Sequence, residues 1–206
     1  MEERTSIVTV KAVLFDFGGV LVRTRDQESR RKWEITLGLE EGQLSQLVFE
    51  SEAARQATIG ALPERAIWEH VAETLRLDNV KLQQLKIDFW KSDQLDTQLV
   101  RYLKSLHPNY RTGILSNAWS NARQLFTETY QLGDVVDEMV LSAEVGLAKP
   151  DASIYLFAAQ KLGVKPEEAI FVDDMPENVT GAIKAGMLGI QFTGTPELLE
   201  TLSHLI

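Results

Sequence analysis

Residues 11–22, KAVLFDFGGVLV, constrain the fold more than any other part of the chain. Four apolar residues are followed by one acid, Asp16, and then by Gly18 and Gly19. A short continuous apolar run that ends at glycines is typical of a buried strand in a parallel sheet. Asp16 then lies at the carboxyl end of the strand, where open α/β sheets bind ligands. A buried carboxylate needs a partner, so the alternative is that Asp16 caps a following helix.

The composition is that of a globular chain and narrows the possible functions. Of the 206 residues, 44% are hydrophobic and 25% are charged, and the net charge is −9. Nucleic acid and anionic membranes are also negatively charged and would repel a chain this acidic, so we expect neither as a partner. The absence of cysteine excludes disulfides and cysteine nucleophiles. No apolar run has the length of a membrane span, and Glu2 and Glu3 argue against a signal peptide, so we expect a cytoplasmic location.

Strand-like and helix-like segments alternate along most of the chain. The first strand is expected from Ile7, and later strands at residues 111–115, 139–141, 169–172 and 189–192. Helices are expected at 118–130, at 153–162, up to residue 185 and from residue 196. This alternation predicts an α/β fold with a doubly wound, Rossmann-like parallel sheet.

Between the first two strands, the pattern changes to helical spacing. Ile67, Val71 and Leu75 recur every four residues and give one apolar face. We therefore predict a core domain of residues 1–22 and 97–206 and an inserted, all-helical cap domain of residues 23–96. The break at residues 55–60 is the part of the cap that we expect to project towards the site.

Polar side chains end three of the predicted strands, and another lies in a loop. These groups are Asp16, Ser116 with Asn117, Asp173 with Asp174, and Lys149. Because parallel strands end at the same edge, the groups are expected to converge on one crevice. Taken singly, the acids and the Ser116–Asn117 pair are also compatible with helix caps. Lys149, taken singly, is also compatible with a solvated loop residue. Their common placement at strand ends is more specific than any one of them.

The converging groups suit phosphate chemistry. Three nearby carboxylates repel one another, and Mg²⁺ with oxygen ligands relieves that repulsion. Lys149 and Ser116 supply a positive charge and a neutral donor for an anion. Asp16 is ionised at neutral pH and is therefore a candidate nucleophile that needs no base. Attack on phosphorus then gives an aspartyl phosphate, which water hydrolyses.

Four motifs together resemble the haloacid dehalogenase-like hydrolase superfamily. They are FDFGGV at residues 15–20, ILSN at 114–117, GLAKPD at 146–151 and FVDDMPENV at 171–179. Within it, ILSNAW and FVDD…N…GA…GM are similar to a subgroup that contains the phosphatase domain of bifunctional epoxide hydrolases and bacterial sugar-phosphate phosphatases. The resemblance covers nearly the whole chain.

The resemblance implies a role for each motif residue. Asp16 is the implied nucleophile, Ser116 and Asn117 hold the phosphate, and Lys149 steadies the nucleophile and the transferred group. Magnesium is implied to bind Asp16, the backbone carbonyl of Gly18 and Asp174, with Asp173 supporting or ligating. The helical insert corresponds to a cap that closes over the substrate.

The chain departs from the superfamily at Gly18. Most phosphatases that it resembles have a second Asp there, which donates a proton to the leaving group. Losing a general acid costs about 10²- to 10⁴-fold in rate. Activity on good leaving groups, donation by water or a cap residue, and phosphate binding without turnover are all compatible with Gly18. Members of the resembled subgroup that carry Gly here are taken to be phosphatases, so we expect activity.

The expected function is a magnesium-dependent phosphatase acting on a small phosphorylated metabolite, with a sugar phosphate as one candidate. The first alternative is a metal-independent 2-haloacid dehalogenase, which needs a cap arginine for the substrate carboxylate. The candidates for it are Arg23, Arg25, Arg30, Arg31 and Arg55. The second alternative is a regulator that binds a phosphorylated ligand on the same fold. Trp90 is expected to pack within the cap, and Trp119 either walls the substrate pocket or packs.

Overall fold

The computed structural model describes residues 9–206. Ile7 and Val8, where the first strand is expected to begin, lie outside this range. The first strand, β1, spans Ala12–Phe15, and all four of its residues are buried. The apolar run in the sequence therefore corresponds to a strand that is covered on both faces, as predicted.

The core is a five-stranded parallel sheet with β1 in its centre. The strand order is β5-β4-β1-β6-β7, and every neighbouring pair is parallel. The other four strands of this sheet are β4 (Arg111–Ser116), β5 (Glu138–Leu141), β6 (Ala169–Asp173) and β7 (Leu188–Gln191).

Helices cover both faces of the sheet, which makes the fold doubly wound, Rossmann-like α/β as predicted. Apolar side chains of the strands alternate between two buried clusters, one on each face. Helices α6 (Thr97–Ser105) and α11 (Thr195–Ser203) pack on one face, and α9 (Ala152–Leu162) and α10 (Pro176–Lys184) pack on the other. Burial of these side chains excludes water from the strands and supplies most of the driving force for folding.

The register of the sheet brings the polar strand ends together. Phe15 of β1 pairs with Ile114 of β4 and with Val172 of β6. One residue further along, Asp16 and Asp173 leave adjacent strands side by side. Ser116 is the last residue of β4, so the same edge of the sheet carries all three groups.

Residues 23–96 contain five helices, and their helical character agrees with the periodicity of the sequence. They enclose a third hydrophobic cluster, separate from the two beside the sheet. Their bounds are α1 (Glu28–Leu37), α2 (Gln43–Phe49), α3 (Glu52–Thr58), α4 (Glu64–Leu75) and α5 (Asn79–Trp90). Side-chain caps start two of them, since Ser51 accepts a hydrogen bond from Ala54 N and Asp78 accepts one from Lys81 N.

Two short strands, which the prediction of an all-helical insert did not include, flank these helices. Strands β2 (Val22–Thr24) and β3 (Asp93–Leu95) pair antiparallel. The chain enters the insert along β2 and returns along β3, so the two ends of the insert lie next to each other. Each strand has three residues, which is too short for an alternating pattern to stand out in the sequence.

The helical insert rests on loops that follow β4 and β5. The Glu64 backbone N–H donates to Ser120 Oγ at 3.3 Å, so the start of α4 is tied to the segment after β4. Gly60 lies so close to Ala143, in the short helix α8 (Ser142–Val145) after β5, that a Cβ on Gly60 would overlap the Ala143 carbonyl oxygen. The insert therefore covers the edge of the sheet where the polar groups converge.

The helix predicted at residues 118–130 begins later than expected. Helix α7 spans Ala122–Gln124 and continues as a π-helical turn over Leu125–Thr129. The preceding residues 118–121 extend from the strand end instead, which places Trp119 and Ser120 against the insert. None of the helices in the described range has both the length and the apolar composition needed to span a bilayer.

Gly60 provides a stability test of the contact between insert and core. Gly60 and Gly163 both have positive φ, 73° and 70°, but a Cβ at Gly163 meets no atom within 4 Å. Gly163→Ala should lower the free energy of unfolding by about 1–2 kcal/mol through backbone strain alone. Gly60→Ala should lower it by at least about 1 kcal/mol more, because the added methyl group displaces the Ala143 carbonyl. Urea unfolding measures both, and equal losses would contradict the close contact.

Candidate active site

A buried lysine joins two carboxylates at the edge of the sheet. Lys149 Nζ lies 2.9 Å from Asp16 Oδ1 and 2.6 Å from Asp173 Oδ2. The side chain of Lys149 is 1% exposed. Charges this deeply buried are tolerated only when they are paired, so each of these groups holds the others in place.

Asp173 is held by hydrogen bonds on both of its oxygens. Asn178 Nδ2 donates to Oδ1 and Oδ2 at 3.0 and 3.1 Å, and the Met175 backbone N–H donates to Oδ1 at 2.8 Å. Tyr155 is fully buried, and its hydroxyl donates to the backbone carbonyl of Asn178 at 2.7 Å, which helps to hold Asn178 in place. Asp173 is therefore an anchor for Lys149, with little freedom to move towards a ligand.

Asp16 has one oxygen engaged and one available. Oδ1 accepts a hydrogen bond from the Phe17 backbone N–H at 2.7 Å. Within residues 9–206, Oδ2 makes no hydrogen bond, so it is free to react. Burial raises the pKa of the Asp16 carboxyl to about 6; Lys149 opposes this rise, and the Asp173 carboxylate adds to it.

Asp174 lies against the loop that follows β1. A Cβ on Gly19, whose φ is 81°, would overlap the Asp174 carboxyl group. Glycine is therefore required at this position, both for its conformation and for the close approach. Partial burial raises the pKa of Asp174, and the neighbouring Asp173 carboxylate raises it further.

The arrangement suits a hard divalent cation. Oxygens of Asp16, Asp173 and Asp174 lie within 4.8 Å of one another. One lysine faces three carboxylates, so the cluster has an excess of negative charge that a cation would balance. Carboxylate oxygens are the ligands that Mg²⁺ takes in proteins.

Gly18 faces open space next to this cluster. A Cβ there meets no atom within 4 Å, and its φ is outside the left-handed region. A side chain at this position would therefore meet no steric clash and no backbone strain.

Ser116 and Asn117 have different environments at the end of β4. The Ser116 hydroxyl makes no hydrogen bond to another group of the described chain, and so it is available to an anion. Asn117 instead binds the Lys149 backbone twice: Nδ2 donates to the Lys149 carbonyl and Oδ1 accepts from its N–H, both at 2.9 Å. The Asn117 carboxamide thus fixes the Lys149 loop, and its contact with phosphate stays a prediction.

Sequence reasoning did not assign a role to Asn178 or Tyr155. Asn178 lies inside α10, five residues after Asp173, and Tyr155 lies in α9. The signal for Asn178 was present in the motif FVDDMPENV, because an amide in the first turn of a helix reaches back to the preceding strand end. Tyr155 sits in an apolar stripe and gives no such signal.

Cap arginines are mostly engaged with protein partners. Arg30 is buried, and its Nε donates to the Phe89 carbonyl at 2.9 Å. The other engaged arginines pair with acids: Arg23 with Asp96, Arg31 with Glu34 and Arg55 with Glu52. Arg55 lies within α3. Of residues 55–60, which we expected to project towards the site, Ile59 and Gly60 are the ones that approach the core. These pairings disfavour a free arginine clamp for a substrate carboxylate.

Trp119 packs with the insert. Its ring stacks on Phe49 at a centroid distance of 5.9 Å and meets Trp90 edge-on at 6.2 Å. Trp90 lies within the insert, as predicted, but is only partly buried.

Residues 10–186 match the protein family described as haloacid dehalogenase-like hydrolase. This range includes Asp16, Ser116, Lys149, Asp173 and Asp174. The chain therefore belongs to the haloacid dehalogenase-like hydrolases and is an enzyme of the hydrolase class, as its motifs predicted.

Two of three similar proteins are named as phosphatases of small phosphorylated metabolites, and the third is named as an epoxide hydrolase. D-ribitol-5-phosphate phosphatase of Bacteroides thetaiotaomicron is 25% identical over 181 residues, which cover 82% of this chain and 85% of that protein. Glyceraldehyde 3-phosphate phosphatase of Methanopyrus kandleri is 46% identical over 55 residues, 26% of this chain and 24% of that protein. Rat bifunctional epoxide hydrolase 2 is 32% identical over 100 residues, 47% of this chain and 18% of that protein.

Solved structures share the fold at low sequence identity. A predicted hydrolase of this family from Porphyromonas gingivalis has a TM-score of 0.73 and 22% identity, covering 94% of this chain and 98% of its own. A Bacteroides thetaiotaomicron family enzyme in complex with magnesium and inorganic phosphate has a TM-score of 0.72 and 22% identity, covering 88% and 93%. A dehalogenase has a TM-score of 0.71 and 21% identity, covering 95% and 98%.

Removing the buried lysine should strongly destabilise the metal-free protein. Lys149→Met keeps the length of the side chain but leaves Asp16 and Asp173 without their cation. The free energy of unfolding, measured in urea with EDTA present, should fall by about 3–5 kcal/mol. The matched control is Lys165→Met, because Lys165 is 74% exposed and lies 3.9 Å from Glu167; no measurable change is expected there. Similar losses in both variants would contradict a structural role for Lys149.

Proposed function

We propose that this protein is a magnesium-dependent phosphatase that hydrolyses a small phosphorylated metabolite through an aspartyl phosphate on Asp16. The observation that carries this proposal is the buried Lys149, paired with Asp16 and Asp173 beside a third carboxylate. The pairing orients Asp16 at the strand end and leaves its Oδ2 available. The relatives named as phosphatases support the same class of reaction.

In the first step, Asp16 Oδ2 attacks the phosphorus atom and the bond to the leaving-group oxygen breaks. Lys149 offsets negative charge on the phosphoryl group, and the Ser116 hydroxyl donates a hydrogen bond to one of its oxygens. Asn117 holds the Lys149 loop in place through the two backbone hydrogen bonds. Asp173 keeps the ammonium group directed at Asp16.

In the second step, water attacks the aspartyl phosphate, which releases inorganic phosphate and restores the Asp16 carboxylate. Asp16, Asp174 and the Gly18 carbonyl would hold Mg²⁺, with Asp173 supporting. When bound, the ion neutralises the carboxylates and the phosphate charge. The oxygens of the three aspartates are of the hard type that this ion requires.

Residues 23–96 are proposed to act as a cap domain on a core of residues 1–22 and 97–206. The cap rests on the loops after β4 and β5, next to Ser116 and Lys149. Closure excludes water from the attack on phosphorus, and opening admits it for hydrolysis. A cytoplasmic location, without nucleic-acid or membrane partners, stays a prediction.

Two other functions share this fold and differ in what they release or bind. A 2-haloacid dehalogenase attacks carbon and needs no metal, whereas here three carboxylates lie together and most cap arginines are already paired. A regulator would bind a phosphorylated ligand without turnover. Gly18 is the observation that favours the regulator, since residue 18 supplies no general acid.

The nucleophile is tested by removing its charge. Asp16→Asn should reduce Mg²⁺-dependent phosphate release by about 10⁴-fold or more, because no covalent intermediate forms. Phosphate release from a panel of small phosphoesters is measured with Mg²⁺ or EDTA. Asp78→Asn, at the N-cap of α5, is the control and should behave as wild type, since Asn caps a helix equally well.

The outcomes of this assay distinguish the three functions from one another. Release that needs Mg²⁺ and Asp16 supports the phosphatase. Halide release from 2-haloacids in EDTA would identify a dehalogenase. Binding of phosphate by folded protein, without release from any phosphoester, would identify the regulator.

Restoring an acid at the vacant position should increase the rate for poor leaving groups. A Cβ at residue 18 meets no atom within 4 Å, so a larger side chain is accommodated there. Gly18→Asp should raise kcat for alkyl phosphates by at least about tenfold, because the new carboxyl donates a proton to the departing oxygen. Gly18→Asn is the matched control: it has the same size and no proton of this kind to give. An equal response of both variants would show that proton donation does not limit turnover.

A further inference from the structure

Three aromatic rings from the cap and from the loop after β4 meet one another. Phe49 ends α2, Trp90 ends α5, and Trp119 follows β4. We call these three residues the aromatic wall. Their ring centroids are separated by 5.8 Å (Phe49–Trp90), 5.9 Å (Phe49–Trp119) and 6.2 Å (Trp90–Trp119). All three distances are typical of favourable aromatic pairs.

The aromatic wall is partly open to solvent. Phe49 is 45% exposed and Trp90 is 38% exposed, whereas Trp68 and Phe89 behind them are buried. Part of the apolar surface of these rings therefore stays exposed to solvent after they pack against one another. Grouped exposed aromatic surface of this kind is typical of a binding site.

The chain connectivity places the aromatic wall near the nucleophile. Trp119 is three residues after Ser116, so their Cα atoms are at most roughly 11 Å apart. Ser116 ends the strand that pairs with β1, and Asp16 follows β1 at the same edge. Ser120, the neighbour of Trp119, accepts a hydrogen bond from the start of α4, so the aromatic wall lies where the cap rests on the loop that follows Ser116.

Gly18 independently constrains the leaving group of the substrate. With no carboxyl on residue 18, the leaving oxygen departs with the electron pair of the broken P–O bond and takes its proton from solvent afterwards. An aryloxide is stable enough to do so, since a phenolic oxygen has a pKa of about 10. An alkoxide is a much stronger base and leaves far more slowly without a proton donor.

We propose that the substrate is an aryl phosphate, a phosphate monoester whose ester oxygen is bonded directly to a planar aromatic ring, and that the aromatic wall holds this ring. The proposal rests on the phosphatase function proposed above. It narrows the substrate class away from phosphates of ordinary alcohol groups, such as polyol phosphates, whose leaving oxygen needs a proton and whose hydroxyl groups need polar partners. The overall reaction converts aryl phosphate and water into a phenol and inorganic phosphate.

Four phosphates separate the contribution of the ring from that of the leaving group. Phenyl phosphate has a ring and a good leaving group, benzyl phosphate a ring and a poor one, acetyl phosphate only the good leaving group, and propyl phosphate neither. Ribitol 5-phosphate is added as a polyol. With Mg²⁺ present, we expect a lower KM for the two ring substrates and the highest kcat/KM among the esters for phenyl phosphate.

A variant of the aromatic wall tests whether the ring effect arises there. Phe49→Leu should raise KM for phenyl and benzyl phosphate by about twofold to tenfold relative to acetyl and propyl phosphate, which corresponds to one aromatic pair. Phe49→Tyr keeps the ring and should restore the preference. Phe157→Leu replaces a partly buried aromatic residue of α9, outside the wall, and should leave the preference intact. The exposure of Phe49 makes both substitutions compatible with folding.

The outcomes distinguish this proposal from the function on which it rests. If no substrate releases phosphate, acetyl phosphate included, then the phosphatase itself is overturned. If acetyl and propyl phosphate are hydrolysed but the ring gives no advantage, only the aryl phosphate proposal fails. A higher kcat/KM for ribitol 5-phosphate than for phenyl phosphate, or an equal effect of Phe49→Leu on all four, would also overturn it.

Discussion

The placement of the active-site groups depends on one buried ammonium group between two carboxylates. Lys149 comes from a loop, whereas Asp16 and Asp173 come from adjacent strands, so the ion pairs join the loop to the sheet. Their geometry is secured at both ends: Asn178 binds Asp173, and Asn117 binds the Lys149 backbone. A catalytic group held by several neighbours in this way is oriented before substrate arrives, which reduces the entropy lost in reaching the transition state.

Opposing electrostatic effects act on Asp16. Burial and the Asp173 carboxylate raise its pKa, and Lys149 lowers it. A carboxylate that is fully neutralised would be a poor nucleophile, and one without a cation would be protonated more easily. Asp174 increases the negative charge of the cluster, so the site attracts positive charge, which suits the proposed Mg²⁺.

The sequence predicted those features that depend on local pattern and sheet topology. Apolar runs located β1, β4 and β6, and their parallel arrangement made Asp16, Ser116 and Asp173 converge. It did not predict the partner of Asn117, because that contact joins residues 32 positions apart and depends on the final position of a loop. The π-helical turn at Leu125–Thr129 and the three-residue strands were also missed, since neither has a distinctive periodicity.

The ribbon of β2 and β3 has a consequence for how this protein can change over evolutionary time. Val22 and Leu95 pair across it, so the insert begins and ends at neighbouring points, and Arg30 ties α1 to the ribbon through Thr24 and Asp93. A segment with adjacent ends is exchangeable without altering the path of the chain around it. Selection can therefore remodel the helical insert while the charged centre is inherited unchanged.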